Sequence, residues 1–523
     1  MYLAMYDISG IQKFIFSTGK LKEQMGGSNI VHEIMYKCLP RLLGKENHEE
    51  WKNEGYKADR FSQDIKGNIV YIGGGNAMVL YEDSDTMEKI NREMQKEVYK
   101  LTAGNIRLCY ASIEIKSLDT AGEKYGEIYD ELMKRMAIFK REHTAVSTVR
   151  GFSINAQDVN TLEPIIVNFS GKKKEVCAAS IFQKHINKDR SMGKLEGYFF
   201  ADQFDQYFTE GDKKSFLAII HIDGNSMGKK IQKMIKSMDK DEQNTVRNSL
   251  EHMKKLSIEI DTIYENALIA TLDKIYEKKI KTEMSKENPL PFRLVIRDGD
   301  DLTAVMEAGR ALEFVSVYME KLKEEVIGNK TKYPEITNRN MGVSAGAGIA
   351  FVHNKFPFDT AYDYAEQLCK SAKTLLKELS EKNIISEDTS CMDFQIIRSG
   401  MTSEVASYRK EKYTFTDENT EYKLHARPYF YSDNEELSQH RYTSFKNIID
   451  KIISGEIARN KLKELRNSYS LGKDEAKNCY RLILSRNKAG ISGDGIKDVF
   501  SNDNVAIYFD ALDVIDLMEE ENA

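Results

Sequence analysis

Three aspartates in two distant segments have the residue type and the setting of a divalent-metal site. Asp223 ends an apolar strand, LAIIHID, and is followed by the turn GNSMGKK. Asp300 and Asp301 lie at the tip of a predicted hairpin, FRLVIRDGDDLTAVME. Crowded carboxylates repel one another unless they are protonated or a divalent cation neutralises them. We therefore expect Asp223, Asp300 and Asp301 to converge and to bind metal.

Two Mg²⁺ or Mn²⁺ ions held by these carboxylates would suit phosphoryl transfer, because paired ions stabilise the attacking and leaving oxygens of an in-line displacement. With ATP as the substrate, the products would be a new phosphodiester bond and pyrophosphate. Side chains alternate along a strand, so Asp300 and Asp301 need not reach the same ion. The second of them could serve as a proton acceptor or as an outer ligand, and the sequence leaves these two roles open.

The turn after Asp223 is the expected binding site for a triphosphate, because backbone N–H groups at a strand-to-helix turn face anions. Glycine admits a phosphate or base close to the backbone, and lysine supplies counter-charge. The candidate nucleotide-binding residues are Gly224, Asn225, Ser226, Gly228, Lys229, Gly299 and Lys373. The ordinary alternatives are a solvated Asp-Gly turn for the hairpin and an exposed helix lysine for Lys373.

The elements that position these residues occur twice in the same order. Each copy reads as a strand, a helical stretch, an apolar hairpin, a helix, a further strand and a further helix. This order predicts an α+β chain with two ferredoxin-like palm domains of the pattern βααββαβ. The expected divisions are a first palm over 1–145, a spacer domain over 146–212, a second palm over 213–400, a connecting loop over 401–432 and a helical C-terminal domain over 433–523.

The hairpin of the first copy lacks the acidic residues. It reads Gly73, Gly74, Gly75 and Asn76, and Asp7 remains at the end of the preceding strand. One carboxylate makes a poor two-metal site, so we expect the first palm to bind nucleotide at most. Its three glycines are candidate nucleotide-binding residues that would present a second ATP across the palm interface, although a hairpin that needs positive φ explains them equally well.

Composition places limits on the class of protein. The 523 residues carry a net charge of -6, which argues against a nucleic-acid footprint along the whole chain. No stretch approaches the length and apolarity of a membrane span, and the six scattered cysteines show no zinc spacing. We expect a cytoplasmic protein with no membrane partner. The sequence does not indicate the oligomeric state.

Several motifs, in order, resemble the large palm-domain subunit of type III CRISPR complexes, the cyclic-oligoadenylate synthase. They are DISGIQKFIF, LKEQMGGSNIVHEI, YIGGGNAMV, IDGNSMG, DGDDLTAV and SAGAGIA. The resemblance implies that Gly299, Asp300 and Asp301, together with Asp223, make cyclic oligoadenylate from ATP. It also implies effector subunits and guide or target RNA as partners. The second palm is more distantly similar to diguanylate cyclase domains of the GGDEF type.

The chain departs from that family at three points. Asp298 replaces the first glycine of the hairpin motif, which adds charge near the expected triphosphate. The His-Asp dipeptide of a nuclease domain and the cysteine pairs of the usual spacer are absent, so we expect neither DNA cleavage nor a zinc site. Two alternatives stay open: a scaffold without catalysis that binds guide RNA and protein partners, and a cyclase that uses GTP.

Overall fold

The fold is known from a computed structural model, which describes most of the two palms and of the C-terminal segment. The described residues are 1–17, 21–44, 51–52, 61, 65–102, 104–120, 123–142, 166–167, 175–176, 195, 197–201, 204–207, 216–398, 404–488, 490–491 and 498–518.

The first palm is a four-stranded antiparallel sheet with helices packed on it. Its strands are β1 Tyr2–Ser9, β2 Asn68–Gly73, β3 Asn76–Tyr81 and β4 Arg107–Glu114. Its helices are α1 Ile11–Ile15, α2 Leu21–Glu33, α3 Leu39–Leu42, α4 Ser84–Thr102 and α5 Tyr125–Glu142, with a π-helical turn, Ile34–Cys38, between α2 and α3. The strand order β2-β3-β1-β4 is that of a ferredoxin-like sheet, as predicted.

Most of the expected spacer domain, 146–212, lies outside the described residues. Two short strands, β5 Ile166–Val167 and β6 Glu175–Val176, pair antiparallel within it. Nearer the second palm, Leu290 donates its N–H to the carbonyl of Phe199.

The second palm repeats the sheet of the first and extends it. Its strands are β7 Phe216–Gly224, β8 Phe292–Asp298, β9 Asp301–Glu307, β10 Ala345–His353 and β11 Cys391–Ile396. Its helices are α6 Met227–Met238, α7 Val246–Ile275, α8 Glu277–Thr282, α9 Ala311–Gly328, α10 Pro334–Asn338 and α11 Phe358–Glu381. The order β8-β9-β7-β10 reproduces the first sheet, and β11 adds a strand parallel to β10 that the repeat did not predict.

The two palms cover each other's exposed sheet edges in a reciprocal way. Strand β2 is the edge of the first sheet and packs against α7 of the second palm, while β8 is the edge of the second sheet and packs against α2 of the first. The Ser28 hydroxyl donates to the Val295 carbonyl at 2.6 Å across this contact. Such cover removes unpaired strand edges from solvent, and it brings the two hairpin tips together.

The expected connecting loop over 401–432 is instead largely structured. It contains α12 Val405–Lys412, a hairpin of β12 Thr414–Asp417 and β13 Thr420–Lys423, and β14 Tyr429–Phe430, which pairs with β11. Short polar stretches gave little periodicity from which to predict these elements. Helices follow, as expected: α13 Tyr442–Ile453, α14 Arg459–Tyr469, α15 Lys473–Arg486 and α16 Phe509–Val514.

Buried ion pairs attach the C-terminal helices to the second palm. Arg427 is fully buried and binds Asp510 of α16, while its guanidinium also donates to the carbonyl of Phe394 in β11 at 2.8 Å. Arg409 makes a two-pronged pair with buried Asp393 of the same strand. Such charges are tolerated inside a protein only when they are paired and hydrogen-bonded. No described helix is long and apolar enough to cross a bilayer.

Candidate functional site

A two-residue turn delivers the acidic hairpin of the second palm. Asp298 of β8 pairs with Asp301 of β9, so Gly299 and Asp300 form the turn between them. Gly299 has a φ of +60°, a conformation that favours glycine. No atom lies within 4 Å of where a Cβ on Gly299 would be. The glycine is therefore explained by the turn, whether or not a ligand approaches it.

Asp223 and Lys373 form an ion pair at the end of β7. The Lys373 Nζ lies 2.5 Å from Asp223 Oδ2 and 2.8 Å from the carbonyl oxygen of Gly224. Lys373 reaches this position because α11 lies very close to β10: a Cβ on Gly346 would lie 2.9 Å from the lysine chain, and one on Gly348 would overlap the backbone of α11. The SAGAGIA glycines thus bring the lysine to the aspartate.

Asp223 and Asp301 lie on the face of the sheet that packs against α11. Alternation along β7 places His221 on that face too, where its ring meets Tyr362 of α11 edge-on at 5.6 Å. His221 Nδ1 is 3.5 Å from Asp301 Oδ1 and 3.2 Å from the Thr303 hydroxyl. Asp301 therefore borders both the lysine side of the site and a buried imidazole.

The Asp300 side chain points away from the face that carries Asp223 and Asp301. It occupies the space where a side chain on Gly224 would be. A Cβ on Gly224 would overlap the carboxylate of Asp300 and would lie 2.9 Å from the Tyr264 hydroxyl. We expected this glycine to admit a phosphate, but its close neighbour is an aspartate of the same site. The structure thus brings the hairpin against the end of β7 and directs its two aspartates to different sides.

The crowding of these carboxylates perturbs their protonation. Burial, followed by the negative charge of Asp223, raises the pKa of Asp300 to about 6. Burial and the charges of Asp223 and Asp300 raise the pKa of Asp301 well above its usual value. Lys373 offsets only part of this repulsion in each case. The site therefore has an excess of negative charge that a cation would relieve.

The donor set fits a divalent cation, although the described residues contain no preformed cluster of three acidic, histidine or cysteine ligands. An ammonium already binds to the carboxylate of Asp223 and the carbonyl of Gly224 together. Asp301 Oδ1 is buried and makes no hydrogen bond. Hard oxygen donors of this kind are those that Mg²⁺ and Mn²⁺ prefer. Metal binding would require Lys373 to move aside.

The turn after Asp223, the candidate phosphate-binding segment, is fixed by hydrogen bonds to neighbouring parts of the second palm. Asn225 is buried, and its amide donates to the Ser344 hydroxyl and the Thr389 carbonyl. Ser226 has a φ of +56°, an uncommon conformation for a residue with a side chain, and precedes α6 without capping it. Gly228 and Lys229 are exposed on the first turn of α6, where they remain accessible to a ligand.

The first palm retains half of this arrangement. Register places Asp7 opposite Asn76, and the β7 and β9 register ends with Ile222 opposite Leu302, the residues next to Asp223 and Asp301. Lys140 of α5 lies 2.7 Å from Asp7 Oδ1 and so repeats the pairing of Lys373 with Asp223. The aspartate and lysine are kept in both copies, whereas the acidic hairpin occurs only in the second.

Asp298 does not point to the expected triphosphate but to the first palm. Its Oδ2 accepts from the backbone N–H of Gly75 at 2.8 Å, and its Oδ1 accepts from the Tyr36 hydroxyl at 2.9 Å. Gly74 and Gly75 have φ values of +62° and +72°. Our expectation of added charge near the phosphates therefore does not describe this residue, because its carboxylate is held across the palm interface.

A cleft of about 450 Å³ lies between the palms beside the hairpins, a volume in the range of small-molecule sites. Its lining includes Gly10, Lys13, His32, Asp301 and Tyr362. The Gln12 amide donates to the Tyr362 hydroxyl at 3.0 Å at its border. The cleft therefore combines Lys13 and His32 of the first palm with Asp301 and Tyr362 of the second.

Sequence reasoning missed several side chains that shape the site. One of them is His221, which is buried beside Asp301. Its spacing of two from Asp223 was a signal that both share a strand face. Tyr36, Tyr264 and Tyr362 come from helices far away in the chain, and no local pattern marked them.

Comparison with known proteins supports the assignment of the second palm. Residues 216–385 match the family described as Cas10/Cmr2, second palm domain. The structure of Csm1 in T. onnurineus is similar with a TM-score of 0.50 and 12% identity, covering 99% of this chain and 69% of that one. A Csm1-Csm4 cassette in complex with cA4 gives 0.48 and 13%, with coverage of 99% and 69%. Among curated protein sequences, none matches.

Proposed function

We propose that this chain, whose residues 216–385 form a second palm domain of the Cas10/Cmr2 family, is a nucleotidyltransferase that converts ATP to a cyclic oligoadenylate or a cyclic dinucleotide. One observation carries the proposal: a single ammonium is bound by the Asp223 carboxylate and the Gly224 carbonyl beside two aspartates with raised pKa values. An acidic site at the end of a palm sheet that already binds a cation suits metal-assisted phosphoryl transfer.

Asp223, Asp301 and the carbonyl of Gly224 would hold one divalent ion, and Asp300 would contribute from the other side of the sheet. Such ions neutralise charge on the triphosphate and on the attacking oxygen. In the reaction, a ribose hydroxyl oxygen bonds to the α-phosphorus of ATP. The bond from that phosphorus to the bridging oxygen breaks, pyrophosphate leaves with the electron pair, and the hydroxyl proton passes to a carboxylate or to water.

This chain's own residues would bind and orient the nucleotide. Lys373, once displaced from Asp223, and Lys229 supply positive charge to the phosphates, while the exposed turn around Gly228 leaves the backbone open. The cleft between the palms would hold the second nucleotide, with Lys13 and His32 in its lining. Holding both reactants in one orientation supplies much of the rate enhancement for such a reaction.

The direct test is incubation of the protein with ATP and Mn²⁺, followed by chromatography and mass spectrometry of the products. Wild type should give a cyclic product and pyrophosphate, and Asp300→Ala should give neither. Exchange of ATP for GTP in the same assay decides the base preference. Identical empty traces for wild type and D300A, with effector subunits and target RNA present, would remove the enzymatic proposal.

A scaffold without catalysis is the second candidate, favoured by the first palm, whose hairpin lacks acidic residues, and by Asp298, whose carboxylate is held across the palm interface. It would bind effector subunits and guide RNA through its palms. Calorimetry separates the two: the enzyme binds ATP in a Mg²⁺-dependent manner and loses that binding in Asp223→Ala, whereas the scaffold shows no such binding in either protein.

A further inference from the structure

The hairpin of the first palm has the form of an anion-binding loop. Gly74 and Gly75 occupy the two central positions between paired Gly73 and Asn76, both with positive φ. Consecutive backbone N–H groups in such a turn point to one side and form a concave donor surface. Loops of this kind bind phosphates and carboxylates in many proteins.

One anion already occupies this loop, and it comes from the other palm. The Asp298 carboxylate accepts from Gly75 N–H at 2.8 Å and from the Tyr36 hydroxyl at 2.9 Å. The neighbouring Gly74 N–H also favours its charged form and so lowers its pKa, against the effect of burial. Tyr36 lies in the π-helical turn Ile34–Cys38, and the His32 ring stacks on it at 4.4 Å. Two donors from two elements of the first palm thus bind one carboxylate of the second.

We propose that the glycine hairpin of the first palm is an anion site that Asp298 of the second palm keeps filled. A residue without a carboxylate at position 298 would leave the amides of Gly74 and Gly75 without this acceptor. The second palm thus supplies this loop with an anion, where a carboxylate or phosphate from solution could otherwise bind. A nucleotide in the neighbouring cleft must then bind the first palm through groups other than these two amides.

Removal of the carboxylate should convert the filled site into an open one. In Asp298→Ala, the donors lose their acceptor, so the protein is destabilised and small anions stabilise it again. The midpoint of thermal unfolding of full-length D298A should rise by about 2 °C on addition of acetate. The midpoint of wild type should not move beyond the shift that chloride of equal ionic strength produces. Inorganic phosphate in a parallel titration decides whether the site also accepts a tetrahedral anion.

Tyr36→Phe is the matched control, because it removes one donor and leaves the carboxylate in place. It should lose stability without gaining a response to acetate. If D298A does not fold, Asp298→Gly and Asp298→Asn replace it, the glycine variant responding to acetate and the asparagine variant, whose amide still fills the site, not responding. An acetate response of D298A and D298G no larger than that of wild type would overturn the proposal. None of these measurements uses ATP, so the acetate response can be interpreted even if the protein does not convert ATP.

Discussion

The side chain of Lys373 bridges 150 residues of sequence to place its ammonium 2.5 Å from the carboxylate of Asp223. The same ammonium binds the Gly224 carbonyl, so one lysine occupies the donor pair most suited to a divalent ion. Lysine and metal therefore compete for the same oxygens. The first palm keeps the equivalent pair, Lys140 with Asp7.

Removal of that competitor should strengthen metal binding. In Lys373→Met the side chain keeps most of its length and loses its charge, so the affinity for Mn²⁺ should rise about tenfold. The amount of free Mn²⁺ seen by electron paramagnetic resonance measures this directly. Lys377→Met, one turn along the same helix and largely exposed, should leave the affinity unchanged. Weaker Mn²⁺ binding in K373M would show that the ammonium supports the metal site.

The acidic hairpin should be strained in the absence of metal. Asp300 is half-buried, and burial and the charge of Asp223 raise its pKa, so Asp300→Asn should raise the free energy of unfolding by about 1 kcal/mol in EDTA. Asp298→Asn, two residues earlier, should instead lower it by about 1–3 kcal/mol, because its carboxylate accepts hydrogen bonds that an amide cannot fully replace. Urea denaturation of both variants checks the contrast, and a loss of stability in D300N would argue against repulsion at the hairpin.

The close approach of α11 to β10 should depend on one glycine. A methyl group at Gly348 would overlap the carbonyl oxygen of Ala365, so Gly348→Ala should cost about 1–3 kcal/mol of stability and move Lys373 away from Asp223. Gly228→Ala adds a methyl group in open space on a helix and should leave stability unchanged or slightly higher. Urea denaturation of the two variants compares them. Equal stabilities would mean that the helix can move at no cost.

Acid should weaken attachment of the C-terminal segment through His425. Burial, then the charges of Arg409 and Arg427, lower the pKa of this histidine well below its usual value, and Asp393 opposes them only in part. Below about pH 6.5 the unfolded chain therefore takes up a proton that the folded chain does not. Stability should fall with pH by up to about 1.4 kcal/mol per unit from this group.

His425→Asn should flatten that dependence between pH 7.5 and 5.5 in urea denaturation. His353→Asn, at an exposed histidine, should keep the wild-type slope. Identical slopes in all three proteins would mean that the His425 imidazole becomes protonated without unfolding.

Much of the fold was predictable because local sequence patterns that occur twice determine it. Apolar strands, a turn of glycine and aspartate, and strands of matching length predict both hairpins and the order of both sheets. Strand β11 and the segment around Arg427 could not be predicted, because their positions depend on buried ion pairs with residues outside the local pattern. Asp393 of β11 pairs with Arg409, 16 residues later, and Arg427 pairs with Asp510, 83 residues later. No local pattern encodes partners at such distances.

The candidate site, like the fold, was only partly predictable from the sequence. The sequence marks Asp223 and the acidic hairpin, because carboxylates at the ends of apolar strands are unusual. It gives no sign that Asp300 and Asp301 point to different faces, or that Asp298 binds a hairpin 223 residues earlier. Contacts across the palm interface depend on how two whole sheets meet, so only the assembled structure shows them.

Each palm covers the edge strand of the other, β2 or β8, with an equivalent helix. The two palms of one chain are therefore arranged like the two subunits of a twofold-symmetric dimer, in which both subunits use the same surface. A protease nick in the segment that links the halves should consequently leave a single particle on a sizing column. Either half produced alone would carry a bare strand edge into solvent, and it should aggregate. Duplication of one ancestral unit within a single chain would thus have replaced a dimer that can dissociate with one that is covalently linked.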